Sequence, residues 1–373
     1  MVGEALCWAA AAAFLAIVWF VFVGHLPRSD FVVFLRAGGR VIHGLNPYPA
    51  LGTPSVYSGS AFVYPWLTAF LFAPFAVLPA HAADIVFFAL SGLAVIGGCR
   101  LAGLKDPVSV ILVLTAATTI RGFQVGSLNA ILFLGCILAW RFRDRHAIAA
   151  IPLAIVVSSK LFLLPLLGWI VLSKRWSLLA RTLVGMFILF AGSFAIGPLS
   201  AGAYMRLLGA LATHEGVQGF SLYGMLAQFE DPLFAKIVCA AVAGCFVAVG
   251  WWASRGRGER GEVALFGACI AAALVITPVL WSHYIVLALV PVIICRPRRM
   301  VLAGVALASW IVAGPASIPQ IFGVSGNGHV LLLYGALVGL VGALVVRATF
   351  PPVVRPDTVA PIGSGDYAAP NGR

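Results

Sequence analysis

Asp30 stands in His25-Leu-Pro-Arg-Ser-Asp30-Phe, just past an apolar run, and no other acid follows it before Asp84. A carboxylate at the water interface, facing an apolar cavity, has its pKa raised by desolvation or lowered by a cation such as Arg28. Either shift makes it a candidate general base. The same position suits a helix N-cap, with Ser29 or Asp30 accepting amide hydrogen bonds ahead of a helix from Phe31 to His43. Arg36, Arg40 and His43 follow at helical i, i+4 and i+7 spacing. That positive row suits a phosphate group, or equally a solvated face touching anionic lipid.

Lys160 falls between two short apolar stretches, where an ammonium is costly unless it faces a cavity, finds a partner or snorkels to the interface. Arg121 lies in Ile120-Arg-Gly-Phe-Gln124-Val-Gly-Ser-Leu-Asn129, with the amides of Gln124 and Asn129 close by. Together the two cations are suited to holding a lipid phosphate. His283, in Thr277-Pro-Val-Leu-Trp281-Ser-His283-Tyr284, suits a sugar or phosphate contact, or a structural hydrogen bond to backbone. Glu215, Glu230 and Asp231 are reserve bases. The sequence has no DxD, HExxH, Walker or GxSxG motif, so metal-hydrolase, nucleotide-hydrolase and serine-hydrolase chemistry have no residues to rest on.

The elements that must position these residues are membrane helices. Of 373 residues, 62% are hydrophobic and 10% charged, against about 25% charged in a soluble protein. The apolar runs are continuous, with no period of two, so an all-α polytopic bundle is expected and a barrel is not. Twelve spans are expected at 5–24, 83–99, 107–120, 127–140, 147–158, 161–173, 177–197, 233–253, 262–279, 284–295, 300–315 and 329–346. With both termini cytoplasmic, this order leaves 17 of the 24 basic residues inside, which accounts for the +12 net charge through the positive-inside rule, without nucleic acid. It requires that residues 62–80, interrupted by Pro65, Pro74 and Pro79, form an interfacial or re-entrant hairpin. The stretches 147–158 and 161–173 read as short helices meeting in a protein-lined cavity at Lys160.

Residues 25–82 and 198–232 are the two long outer segments. Residues 1–350 form the membrane unit, and the Pro- and Gly-rich stretch 351–373 is expected to be a disordered cytoplasmic tail. The first span is expected to stay uncleaved. The seven cysteines, none in a CxxC pair, read as small buried hydrophobes.

The series SDFVVFLRAGGRVIHGLNPY (29–48), FVYPWLTAFLFAPFAVLP (62–79), GFQVGSLNAILF (122–133), SSKLFLLPLLGWIVLSKRW (158–176) and TPVLWSHY (277–284) resembles glycosyltransferase family 87. That family comprises bacterial membrane enzymes of the GT-C architecture. The resemblance implies that Asp30 is the catalytic aspartate of the first extracytoplasmic loop, and that Tyr64 belongs to a Tyr-Pro motif in which Trp66 replaces a usual second proline. It further implies that Gln124 and Asn129 form the polar turn and that Lys160 is the membrane lysine. Lys160, Arg121, His283 and Arg36 are then expected at the donor phosphate, and Tyr48, Tyr64, Gln124 and Asn129 at the substrate.

The implied reaction is inverting transfer of a sugar from a polyprenyl-phosphate donor to a lipid or glycan acceptor, at the extracytoplasmic face of a bacterial plasma membrane. Mannose is the first expectation for the sugar and arabinofuranose the second. The lipid-linked sugar is a substrate, and neither a cofactor nor a metal is expected. Partners are the lipid substrates and surrounding membrane lipids, with the chain a monomer. The rival reading is a transporter or lipid flippase, for which related halves and broken helices near the midplane are expected. No internal repeat is visible.

Overall fold

The computed structural model describes residues 28–57, 61–216, 219–229, 231–314 and 327–350, with scattered positions between 9 and 21. Most of the expected first span, Glu230 and the tail at 351–373 lie outside the described residues.

The described chain is helical, with no strand among its described residues. In order the helices are α1 (Ser29–Ile42), α2 (Trp66–Leu71), α3 (Ala73–Ala76), α4 (Ala80–Leu101), α5 (Pro107–Leu114) and α6 (Ala117–Val125). Next come α7 (Asn129–Arg141), α8 (His146–Ser159), α9 (Pro165–Leu172), α10 (Trp176–Ile196), α11 (Ala201–Glu215) and α12 (Leu222–Leu226). The last are α13 (Pro232–Ser254), α14 (Gly258–Ile276), α15 (Leu289–Ile294), α16 (Arg299–Ala313) and α17 (Asn327–Thr349), with a 3-10 segment at Ser282–Ala288 leading into α15.

Helix α14 is the axis of the bundle. Every residue from Val263 to Val275 is buried, the pattern of a helix that is apolar all round and surrounded by protein. It packs chiefly on α13, and also on α9 and α17. A Cβ at Gly250 of α13 would meet the Ala268 methyl at 2.5 Å, so this glycine sets the close approach of the two backbones. Small residues serve this purpose where lipid supplies no hydrophobic drive between helices.

The basic loops gather at one end of the bundle. Arg143 pairs with Glu262 at 3.2 Å and Glu259 at 3.0 Å, while Arg175 pairs with Glu262 at 2.9 Å and Asp144 at 2.6 Å. Arg299 pairs with Asp106 at 2.6 Å, and Arg296 donates to the Ala102 carbonyl at 3.2 Å.

Among the described residues four helices, α4, α10, α13 and α17, are long and apolar enough to cross a membrane, and the α5–α6 pair, bent by 60°, would make a fifth. The described residues therefore do not present the other eleven expected spans, those after the first, at full length. The reason is that several expected spans are truncated: α7, α8, residues 161–172, residues 282–294 and α16 are all shorter apolar elements of 10–17 residues. At 1.5 Å per residue α10 is about 32 Å long and its neighbour α8 about 21 Å. Both start from the basic end, so α8 stops about 10 Å short of where α10 ends. The shortened helices open a recess at the opposite end.

Residues 62–80 form no helix long enough to cross a membrane. They form α2 and α3, which pack against α1, and at 6 and 4 residues are too short to span. Trp66, the first residue of α2, lies against Gly197 at the end of α10, and Leu67 donates its amide to the Ser193 hydroxyl at 3.2 Å. The Trp in place of proline is thus accommodated as a packing contact.

Candidate active site

The recess holds a cavity of about 650 Å³, and the three regions that build it are fixed by different interactions. Helix α1 brings Asp30. Its buried face, Phe31, Phe34, Ala37, Gly38 and Val41, follows helical spacing, while Arg36 and Arg40 face outward. Phe31 stacks on Phe87 of α4 at 4.5 Å and Phe34 on Phe72 at 4.4 Å, so rings just after Asp30 lock the start of the helix. Arg28, 3% exposed, anchors the chain ahead of it by pairing with Asp84 at 3.2 Å.

No side chain caps α1. Asp30 sits in its first turn, takes only a long 3.4 Å contact from the Ser29 hydroxyl, and turns into the cavity. The capping role is therefore not what the carboxylate does. Nor does Arg28 lower its pKa, because that guanidinium is directed to Asp84. Burial pushes the Asp30 carboxyl above the usual carboxylate range, and the Lys160 ammonium and the Ser29 hydroxyl oppose part of the rise. The side chain is 29% exposed, and that exposure is to the cavity.

Lys160 comes from the break between α8 and the 3-10 turn Leu161–Leu163, where its own backbone is extended (φ −139°, ψ 94°). The interruption is what aims the side chain inward. Its Nζ donates to the Tyr284 hydroxyl at 2.7 Å and lies 4.7 Å from the centre of the Tyr64 ring. Aromatic faces favour a desolvated ammonium. Its remaining N–H groups meet no acceptor among the described residues and face the cavity. Phe162 stacks on Tyr284 at 5.4 Å, which fixes that ring.

The segment 277–284 supplies His283, buried, with Nε2 lying 3.7 Å from the Asp30 Oδ2 and making no hydrogen bond. It faces the carboxylate, so its first neighbour in this site is an acid rather than a cation. Phe220 donates its amide to the Leu280 carbonyl at 2.7 Å, tying the turn after α11 to this segment. Glu215, the last residue of α11, stands on the cavity wall, where burial raises its carboxyl pKa. Arg121 lines the same cavity from α6, and its guanidinium is held by Gln124 at 3.0 Å.

The structure thus brings five expected residues, Asp30, Tyr64, Arg121, Lys160 and His283, to one cavity. Four others do not line it. Arg36 is exposed on the far face of α1. Neighbouring Arg40 is bonded to the Asn46 carbonyl and His43 to the Gly39 carbonyl, so the positive row is largely engaged with its own backbone. Tyr48 donates to the Tyr64 carbonyl at 2.8 Å, and thereby supports Tyr64 from behind. Gln124 orients Arg121. Asn129 is buried at the start of α7, its side-chain amide without a hydrogen bond among the described residues.

Tyr284 and Tyr204 are the residues that sequence reading passed over. Tyr284 was visible as the neighbour of His283, whereas Tyr204, which donates to the Val63 carbonyl at 2.9 Å and lines the cavity, carried no signal in its own segment.

Chemically, the cavity offers a buried carboxylate with a raised proton affinity and, across from it, fixed cations with free donors. A site of this kind can take a proton from a neutral group while receiving an anion that forms on the other side. The family model described as glycosyltransferase family 87 matches residues 62–282, more than half of the chain and most of the cavity wall. Comparison with curated proteins returned no match.

Proposed function

The chain belongs to glycosyltransferase family 87, and from that premise we propose that it is an inverting enzyme using a polyprenyl-phosphate sugar as donor. Asp30 takes the proton of an acceptor hydroxyl. The oxygen attacks the anomeric carbon from the side opposite the phosphate, the carbon–oxygen bond to the phosphate breaks, and its electron pair leaves with the polyprenyl phosphate. Lys160, with Arg121, takes the charge that the departing phosphate gains. Removing one such fixed donor typically costs about 10²–10³ in rate. The observation that carries this reading is the joint presence of Asp30 and Lys160 in one cavity.

The depth of the recess supports a lipid-linked donor. A sugar attached to a prenyl chain meets a site about 10 Å below the ends of the longest helices without leaving the membrane, and the chain itself lies between helices. We take the basic end as cytoplasmic, which puts the cavity at the extracytoplasmic face. The short helices then complete crossings within a protein interior, so the full count reaches twelve with the first span. Mannose is the first choice of sugar, arabinofuranose the second, and the acceptor is a lipid or glycan.

The test is to incubate the purified protein with polyprenyl-phosphate mannose, arabinofuranose and glucose in turn, with a membrane lipid extract as acceptor source. Release of free polyprenyl phosphate coupled to a glycosylated product is expected from one donor. Movement of intact donor across proteoliposomes with no product would support a flippase and contradict the enzyme.

A further inference from the structure

A second cavity lies at the opposite end of the bundle, where the basic loops gather. It has a volume of about 380 Å³ and is bordered by Arg141, Arg260, Arg296 and Arg347, by the Arg143–Glu259 pair, and by the apolar side chains of Trp140 and Leu344. Nothing in the proposed transfer reaction uses it. The carboxylates near this end are already engaged: Glu259 and Glu262 pair with Arg143, Glu262 and Asp144 with Arg175, and Asp106 with Arg299. Arg141, Arg260 and Arg347 have no carboxylate partner among the described residues.

Positive charge on this face follows from topology alone, but topology does not converge three unpaired guanidiniums on one hollow from three separate helices. Arg141 ends α7, Arg260 opens α14 and Arg347 closes α17. Arg296 is held in place as a fourth, by its bond to the Ala102 carbonyl and its close seat against Gly103. Planar guanidiniums in such an array match the oxygens of a phosphate group. Trp140, Val263 and Leu344 line the hollow between them, and Leu101 and Val346 at its edge are exposed on the bundle's outer surface. A ligand with a phosphate head and an acyl body fits both halves.

We propose that this hollow binds the headgroup of an anionic phospholipid of the leaflet at the basic end. Basic pockets between membrane helices recognise lipid phosphates in this way.

The experiment is native mass spectrometry of the full chain in detergent, titrated with phosphatidylglycerol or with phosphatidylcholine. Three proteins are compared: the unaltered chain, the triple variant Arg141→Ala, Arg260→Ala, Arg347→Ala, and a control triple variant, Arg145→Ala, Arg255→Ala, Arg298→Ala. The control removes the same charge from the same end outside the hollow. The expected result is one saturable phosphatidylglycerol on the unaltered chain and the control, weakened roughly tenfold in the hollow variant through loss of charge-assisted bonds. Phosphatidylcholine is expected to be unaffected. Equal weakening in the control would overturn the proposal in favour of diffuse surface charge. Equal retention by all three would overturn it outright. Displacement of the lipid by inorganic phosphate at equal concentration would show that a soluble anion is the ligand. A thermal unfolding midpoint within a few degrees of the parent shows that the hollow variant is folded; if it is not, Arg260→Ala alone is compared with Arg255→Ala.

Discussion

Lys160 and Tyr284, 124 residues apart in sequence, meet at 2.7 Å across the cavity wall, ammonium to phenol oxygen. The contact joins the break after α8 to the segment after α14, and so fixes the cation at the point where a phosphate would depart. Replacing Tyr284 by Phe keeps the ring that stacks on Phe162 but frees the ammonium to wander. Turnover should fall about tenfold, in line with a lost hydrogen bond to a charged group of about 1.5 kcal/mol. Lys160→Ala should fall further, by about 10²–10³. Steady-state kinetics at varied donor concentration checks both. An unaltered rate in Tyr284→Phe would mean that Lys160 is not positioned by this bond.

The raised proton affinity of Asp30 predicts the pH dependence of both rate and stability. A base must be ionised, so kcat/KM should fall as pH drops through a midpoint above the ordinary carboxylate value of about 3.9. For stability, a carboxyl whose folded pKa exceeds its unfolded one favours folding most fully below the unfolded pKa. That contribution is lost as pH rises through the folded pKa. At neutral pH, Asp30→Asn should therefore melt at a higher temperature than the parent, and the difference should vanish near pH 4. Calorimetry across pH measures this. A lower melting point at pH 7 would contradict burial as the cause of the shift.

Arg28 and Asp84 form the buried pair that anchors the start of α1. Asp84→Ala takes the carboxylate from a guanidinium that is 3% exposed and keeps its bond to the residue-84 carbonyl. Because Asp84 is itself partly exposed, the cost should be about 2 kcal/mol, below the fully buried range. Thermal unfolding reads the loss, and turnover should drop with it because Asp30 follows Arg28 by two residues.

Gly126 ends α6 in the left-handed region at φ +68°, and a Cβ there would lie 2.6 Å from the Phe31 Cβ. Gly126→Ala adds backbone strain of about 1–2 kcal/mol, and it pushes on the residue beside Asp30. Reduced kcat at nearly unchanged donor affinity is the expected signature, measured by turnover against donor binding.

Much of the site was legible in the chain because ionisable residues are rare in an apolar sequence. Asp30 and Lys160 stand out for that reason, and the prolines at 65, 74 and 79 marked a stretch that forms only the short helices α2 and α3. Arg36 misled, because helical spacing gives the row of arginines but not the direction it faces. That direction is set by Phe31 and Phe34, which claim the inner side. The number of full-length spans was not legible either. Apolar content does not distinguish a largely exposed helix such as α10 from short helices like α8 or the protein-enclosed α14, and only packing reveals which ones stop early. Tyr48 and Tyr204 support the site through hydrogen bonds to groups 16 and 141 residues away, which spacing does not encode, whereas Gln124 holds Arg121 from three residues along.

The most direct test of the account is to compare Asp30→Asn with the parent for two quantities in one preparation: binding of polyprenyl-phosphate mannose, or whichever donor proves active, and transfer of its sugar. The account predicts donor binding within about twofold of the parent, because the cationic seat is intact, and transfer lowered by about 10²–10⁴, the usual contribution of a general base. Transfer at or near the parental rate would contradict it and move the proton acceptor to Glu215, which lines the same cavity.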